Sequence, residues 1–374
     1  MIEPSAQPQQ LSLQSILDCA ASHATDCYQT GNLPQPGHNG PYHHCETPAR
    51  NAAHYLFLIA ANPDADSTPA LHHAAKKAVN YLTGPVVRPR GQTIQIRSKE
   101  GTDQCNGVVG QAWVMEALIA AAETFSEPSW YDTAEELFLL HPWDKNTCLW
   151  HRVEPDGAVL SVDTTFNHQL WFAAAASMLH RTASAQERAH DFLTAVASRI
   201  STYGNGVVKH DWPMFSVPQG FKRGFEEGLR TAKSRLKYSL PNRTTYYKSV
   251  GYHGFNLYAY AILKEAFPDH RFWSSPRFKD LLSPVTNERF QVDLDESIFS
   301  WHYNVTGLEF AFAAETFLGD TDLAARWLNK QFLRTWASAE EPLAKDATDR
   351  HTANARIYEA ARLKSDYQIQ VPKG

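Results

Sequence analysis

TPALHHAAKKAVNYLT (residues 68–83) followed by VVGQAWVMEALIAAAETF (residues 108–125) decides the fold. The first stretch repeats apolar residues at helical spacing and leaves one face for His, Lys and Asn. The second is apolar nearly all round. A helix with one apolar stripe faces water, whereas one that is hydrophobic all round must be buried among other helices. The same alternation occurs five more times, as residues 11–24 then 48–61, 130–141 then 166–180, 185–201 then 250–267, 275–282 then 303–318, and 321–336 then 350–363. Six outer and six inner helices in strict order predict an all-α (α/α)6 toroid, a six-hairpin barrel. The connections are mostly short, as expected for antiparallel neighbours.

Length alone gives a prior of two or three domains for 374 residues. The unbroken alternation predicts instead one toroid domain over residues 1–374, because each added hairpin extends the same core. Strand signals are few. Residues 86–96 and 157–163 carry short alternating or β-branched runs near glycine, and either suits a small β-hairpin above the ring. Residues 204–249 are the one long break in the pattern. They hold nine Lys/Arg against three acids, Asp211, Glu226 and Glu227, within a chain of net charge −5. An insertion of this length is usually functional or disordered. Its net charge of +6 reads as a lid over an anionic ligand, set against a solvated excursion with its own helix at residues 224–236.

Several function classes are disfavoured. The acidic balance and lack of a long basic run give no reason to expect nucleic acid. No stretch approaches the roughly 18 apolar residues of a membrane span. Residues 1–10 lack a charged segment leading into an apolar one, so no secretory signal is expected. Five scattered cysteines show no zinc spacing, which predicts no metal and a reducing, cytoplasmic setting. Walker A, GxGxxG, HExxH and GxSxG motifs are all absent, and no cofactor is expected.

In a toroid, the starts of the inner helices converge on one end of the ring, and here they are rich in polar and aromatic side chains. The first, GPYHHCETPARNAAH, offers His44, Glu46 and Arg50. The second, RSKEGTDQCNGVVGQAW, offers Asp103, Asn106 and Gln111. The third, SVDTTFNHQLWF, places Asp163 ahead of Asn167, His168 and Trp171. His168 and Trp171 stand three apart and share a helix face. Histidine titrates near neutrality, so an Asp, Asn, His and Trp cluster points to acid–base chemistry. The fourth start supplies Tyr252 and His253, and the fifth supplies Trp301, Tyr303 and, within an apolar helix, Glu309. A charge there is costly unless paired or used. Glu309 therefore reads either as a catalytic carboxylate or as the partner of an arginine such as Arg356.

GPYHHCETPARNAAH, CNGVVGQAWVMEAL and DTTFNHQLWFAAA resemble a family encoded in bacterial and archaeal surface-glycan gene clusters, itself similar to the six-hairpin glycosidases. More distantly, Gly110 to Trp113 resembles the Gly-Asn-Gly-Trp of unsaturated-uronate hydrolases, and Asn167-His168 with Trp171 resembles a segment of alginate-lyase-like toroids. The likeness to unsaturated-uronate hydrolases implies hydrolysis, with aspartates on the cavity wall corresponding to Asp103 or Asp163. The likeness to alginate-lyase-like toroids implies β-elimination.

The expected function is that of a carbohydrate-active enzyme on an anionic, uronate-containing oligosaccharide or polysaccharide. As a glycoside hydrolase it would use Asp163, Asp103, His168 and Glu309 for chemistry, since hydrolysis needs an acid and a base carboxylate. His44, Glu46, Arg50, Asn106, Gln111, Asn167, Trp171, Tyr252, His253, Trp301 and Tyr303 would bind the sugar. One alternative is a lyase or uronate C5-epimerase with a His/Tyr acid–base pair. The other is a glycan-binding or assembly protein without turnover.

Overall fold

The computed structural model describes residues 9–239 and 242–372. Most of the segment read above for a secretory signal lies outside them. The chain opens with β1 (Gln9–Ser12) and then runs through α1 (Leu13–Gln29), α2 (Ala49–Ala60), α3 (Pro69–Thr83), α4 (Val109–Thr124) and α5 (Pro128–Leu139). A small sheet of β2 (Trp143–Asp144), β3 (Leu149–Val153) and β4 (Val159–Val162) leads to α6 (Phe166–Met178) and α7 (Ala183–Arg199). The insertion carries α8 (Val217–Arg223), α9 (Phe225–Ser239) and α10 (Arg243–Gly251). The ring resumes with α11 (His253–Ala266), α12 (Pro276–Leu282), α13 (Glu288–Asp295), α14 (Thr306–Ala313) and α15 (Thr321–Thr335). It ends in α16 (Arg350–Ala355), a 3-10 stretch Arg356–Arg362 and β5 (Gln368–Val371).

The architecture is the (α/α)6 toroid. α2 packs on α4, α4 on α6, α6 on α11, α11 on α14, and α14 on the 3-10 stretch Arg356–Arg362, which returns to α2. Small side chains permit this close inner ring, as in the buried run Ala173 to Ala176 of α6. Local chemistry starts the helices where the periodicity begins. Pro69, Pro128 and Pro276 stand at first positions, where the missing N–H costs nothing. Ser12 and Asp320 cap α1 and α15 by accepting from Ser15 N and Leu323 N. One apolar core runs from Leu13 to Val371. β1 pairs antiparallel with β5, Gln9 opposite Val371 and Ser12 opposite Gln368, and so joins the two ends of the ring.

Three expectations need correction. Residues 86–96 form turns rather than a strand. Pro89 cannot donate to a ladder, and the neighbouring polar groups bond elsewhere: Ile94 N donates to Gln111 and the Thr93 hydroxyl to Val153 O. The hairpin is built by β3 and β4, and β4 lies within the other expected run, residues 157–163. The helix expected over 250–267 begins later, as α11 at His253, with α10 ending at Gly251, where a Cβ would run into the backbone of Phe299. The helix expected from 303 begins at Thr306, since Trp301 adopts a positive φ and the chain is still turning there.

Candidate functional site

A cavity of about 190 Å³ opens at the end of the ring where the inner helices begin. Of the residues expected there, His44, Arg50, Asn106, Asn167, His168, Tyr252 and Tyr303 line it. Four more stand just behind the wall. Asp163 accepts from His168 Nδ1 at 2.8 Å. Glu46 lies under Arg50, 3.4 Å from Nη1. Asp103 holds Arg97 at 2.6 Å and Arg152 at 3.0 Å. Gln111 spends its amide on the backbone of Ile94 and Cys105.

The other four point elsewhere. Trp171 is core: it stacks on Phe255 and Tyr258, and its indole N–H donates to Phe255 O. His253 faces the outer layer, with Nε2 2.9 Å from Leu281 O. Trp301 packs near Trp327 and donates to Asp295. Glu309 is fully buried and ion-paired to Arg356 at 2.7 Å, which is the structural alternative weighed for it. Helix-start position fixed the level of these residues in the ring but not which way their side chains turn.

The Asp163–His168 pair is held from behind by backbone. Asn106 and Gly107 both take left-handed conformations, φ 57° and 61°, and the turn they make presents Val108 N to Asp163 Oδ2 at 3.0 Å. Thr165 N donates to Oδ1, also at 3.0 Å. Gly107 is required twice over: its φ favours glycine, and a Cβ would collide with Asp163 Oδ2 and His168 Nδ1. Burial alone would raise the Asp163 pKa, but His168 and the two amides outweigh it and hold the carboxyl below the carboxylate range. The carboxylate fixes the imidazole tautomer with the proton on Nδ1. Nε2, which makes no hydrogen bond to the described residues, is then the basic nitrogen.

A chain of hydroxyls lines the same cavity. Tyr42 and Tyr252 are 2.9 Å apart, Tyr252 and Tyr303 are 3.1 Å apart, and Tyr303 donates to Asn39 Oδ1 at 2.9 Å. Burial first, then the neighbouring phenols, push Tyr252 well above its usual pKa, so it stays a proton donor. Arg50 lies 4.2 Å over the Trp113 ring, with Nε buried and, among the described residues, unpartnered. Burial pushes the Glu46 carboxyl upward against the pull of Arg50.

The insertion supplies a part of the wall that sequence reading missed. His210 stacks on Tyr252, centroids 3.9 Å apart, and burial followed by Lys248 lowers its pKa to about 3, which keeps it neutral. Asp211 is the one carboxylate on the lining among the described residues, and Lys248 holds it at 3.1 Å. Burial acts to raise its pKa, but His210 and Lys248 bring it down. Of the insertion's cations, Lys248 reaches this cavity, whereas Arg223 pairs with Asp144 and Arg243 with Glu296. Asn39, His210 and Asp211 come from loops and Tyr42 from a single 3-10 turn, Gly40–Tyr42, and none carries a periodic signal. The adjacent His-Asp of KHDW was the available clue. Among the described residues, no group of three His, Cys, Asp or Glu stands close enough to hold a metal, and no helix is long and apolar enough to cross a membrane.

Known proteins agree with this geometry at the level of family and fold. No family model matches the chain. Archaeal glycosylation protein Q of Haloferax volcanii is 36% identical over 367 residues, covering 96% of this chain and 99% of that protein. The chain belongs to the family of archaeal glycosylation protein Q. Among solved structures, cellobiose 2-epimerase from Bacillus thermoamylovorans aligns with a TM-score of 0.54 at 10% identity, over 93% of this chain and 98% of the other. A D-mannose isomerase aligns at 0.55 and 13% identity, over 92% and 97%. At such identities these likenesses establish the shared toroid.

Proposed function

We propose that this protein is a carbohydrate isomerase or epimerase that moves a proton on carbon within an anionic sugar. The observation that carries this reading is the Asp163–His168 pair, whose Nε2 makes no hydrogen bond to the described residues, lining one cavity together with the tyrosine hydroxyl chain. In this scheme His168 Nε2 takes the proton from a carbon beside a carbonyl or carboxylate. The C–H electron pair moves onto that oxygen, where Arg50 stabilises the developing charge. Tyr252 returns a proton to carbon and recovers one from Tyr42, which regains its own from water in the cavity, while His168 releases the abstracted proton to water. Asp163 orients the imidazole and stabilises its cation.

The relative's name places that protein in glycosylation, and the two structural neighbours are named for sugar epimerisation and isomerisation, which supports a sugar as substrate. Arg50, Arg97 and Lys248 on the lining favour an acidic one, as a uronate would be. A glycoside hydrolase needs two carboxylates able to face each other across the sugar. Among the carboxylates of the described residues Asp211 alone lines the cavity, while Asp103, Asp163 and Glu309 are each committed behind or below it, so hydrolysis ranks second.

Incubation with a panel of neutral and uronate sugars in deuterated water tests the scheme. Deuterium on carbon without cleavage is the expected result. A gain of water per cleaved bond instead would make the protein a hydrolase, and an unsaturated, ultraviolet-absorbing product would make it a lyase.

A further inference from the structure

A second chamber of about 190 Å³ lies beside the first, and the two meet at Thr165 and Asp211. Its wall is the inner face of α9, where Arg230, Thr231 and Ser234 follow one another at helical spacing. Pro213 and Phe215 add an apolar surface to the same lining. The wall is anchored to the first cavity at several points. Ser234 Oγ donates to Asp211 O at 2.8 Å, Asp211 N donates to the Tyr238 hydroxyl at 2.9 Å, and Arg230 Nη2 donates to Thr164 Oγ1 at 3.1 Å. Either chamber alone falls below the roughly 300–1,000 Å³ of ordinary small-molecule sites, and only together do they reach it.

We infer that the second chamber is a subsite for the neighbouring glycosyl unit, so that the substrate is a disaccharide or longer glycan rather than a free monosaccharide. This inference rests on the carbohydrate reading above. An apolar patch facing hydroxyls and a guanidinium matches a pyranose, which has an apolar face and a rim of hydroxyl donors and acceptors. The junction is polar on both sides, with the Thr165 hydroxyl and the Asp211 carboxylate, as the oxygen-rich linkage between two sugars requires. The net +6 insertion thereby acquires a specific part: Lys248 serves the first chamber and Arg230 the second.

Binding of monosaccharides and of the disaccharides that contain them, with and without a uronate, is measured by calorimetry on the wild type, Arg230→Ala and Thr231→Leu. Arg230 is exposed, so its loss spares the core, while leucine at 231 fills the chamber. Disaccharides should bind the wild type about tenfold or more tightly than their monosaccharides, the scale of a hydrogen bond to a charged group. Both variants should erase that gain and leave monosaccharide binding unchanged. Equal affinity for both lengths, or parallel losses in the variants, would overturn the subsite. Failure of every sugar to bind would overturn it together with the carbohydrate reading. Length-dependent binding without deuterium exchange would uphold the subsite and defeat the proton-transfer scheme.

Discussion

Two clusters of buried polar groups lie along the toroid axis, and they are built on opposite plans. At the open end, Asp163 receives backbone amides and one imidazole, and His168 keeps its other nitrogen unbound. Deeper in the ring, Arg356 holds Glu309 and Glu359 at 2.7 Å each while donating to Tyr303 O and Asn304 Oδ1. The first cluster leaves one group available to react. The second consumes its donors internally and supports the wall above. Burial of a charge therefore did not identify chemistry here; an unspent nitrogen facing open space did.

The largest effect that would sharpen this contrast is on rate. His168→Asn and Asp163→Asn should each lower turnover about 10²–10⁴-fold, the usual span for lost acid–base catalysis. His168→Asn should do so with little change in unfolding midpoint. Asp163→Asn should also lose about 1–3 kcal/mol of stability, because the amide is a weaker acceptor for Val108 N, Thr165 N and His168. Wild-type turnover in either variant would remove the pair from the mechanism. Next comes stability. Arg356→Met strands two buried carboxylates and should cost about 3–5 kcal/mol in denaturant unfolding. Glu309→Gln keeps an acceptor for Arg356 and should cost about 1–3 kcal/mol, with turnover nearly retained. A Glu309→Gln enzyme that folds normally but is inactive would erase the distinction between the clusters.

Gly107→Ala should be smaller in stability yet visible in both readouts. The left-handed backbone costs a non-glycine residue about 1–2 kcal/mol, and the methyl displaces the Asp163–His168 pair, so turnover should fall while distant ion pairs persist. The smallest effect concerns pH. Burial holds the His253 pKa at about 4, below its unfolded value near 6.5. Its neutral form thus contributes stability that is full above pH 6.5 and is lost as pH falls toward 4. Replacing His253 by Asn should flatten the slope of stability against pH in that window by up to about 1.4 kcal/mol per unit. An unchanged slope would mean the imidazole is not buried as described.

The toroid was legible because burial on all sides leaves a composition signature that no surface helix shares, as α4 and α6 show. Arg50, Asn167 and His168 were legible because polar residues at inner-helix starts have few places to go. Trp171 and His253 were misplaced because adjacent helix positions differ by about 100° around the axis, so one residue of phase separates cavity from core. Trp301 was misplaced because it stands in a turn before α14, where helix phase gives no direction. The pairing of Asp103 with Arg97 and Arg152, and of Glu116 with Arg362, depends on partners that spacing alone does not reveal. His210 and Asp211 reach the site from an insertion whose course no periodicity records.

The pairing of β1 with β5 also sets an order in time. The helical hairpins are local and can form as the polypeptide emerges, but strand residues 9–12 must wait for 368–371, the most distant partners in the fold. Contacts of such sequence separation are slow to form, because loop closure is unfavourable until they are made. Until then α1 has a neighbour on one side only, and the apolar seam between α2 and the 3-10 stretch Arg356–Arg362 stays open to water. During synthesis the unfinished ring is thus an arc with two sticky ends, and a chaperone or a second nascent copy has that whole interval in which to capture it.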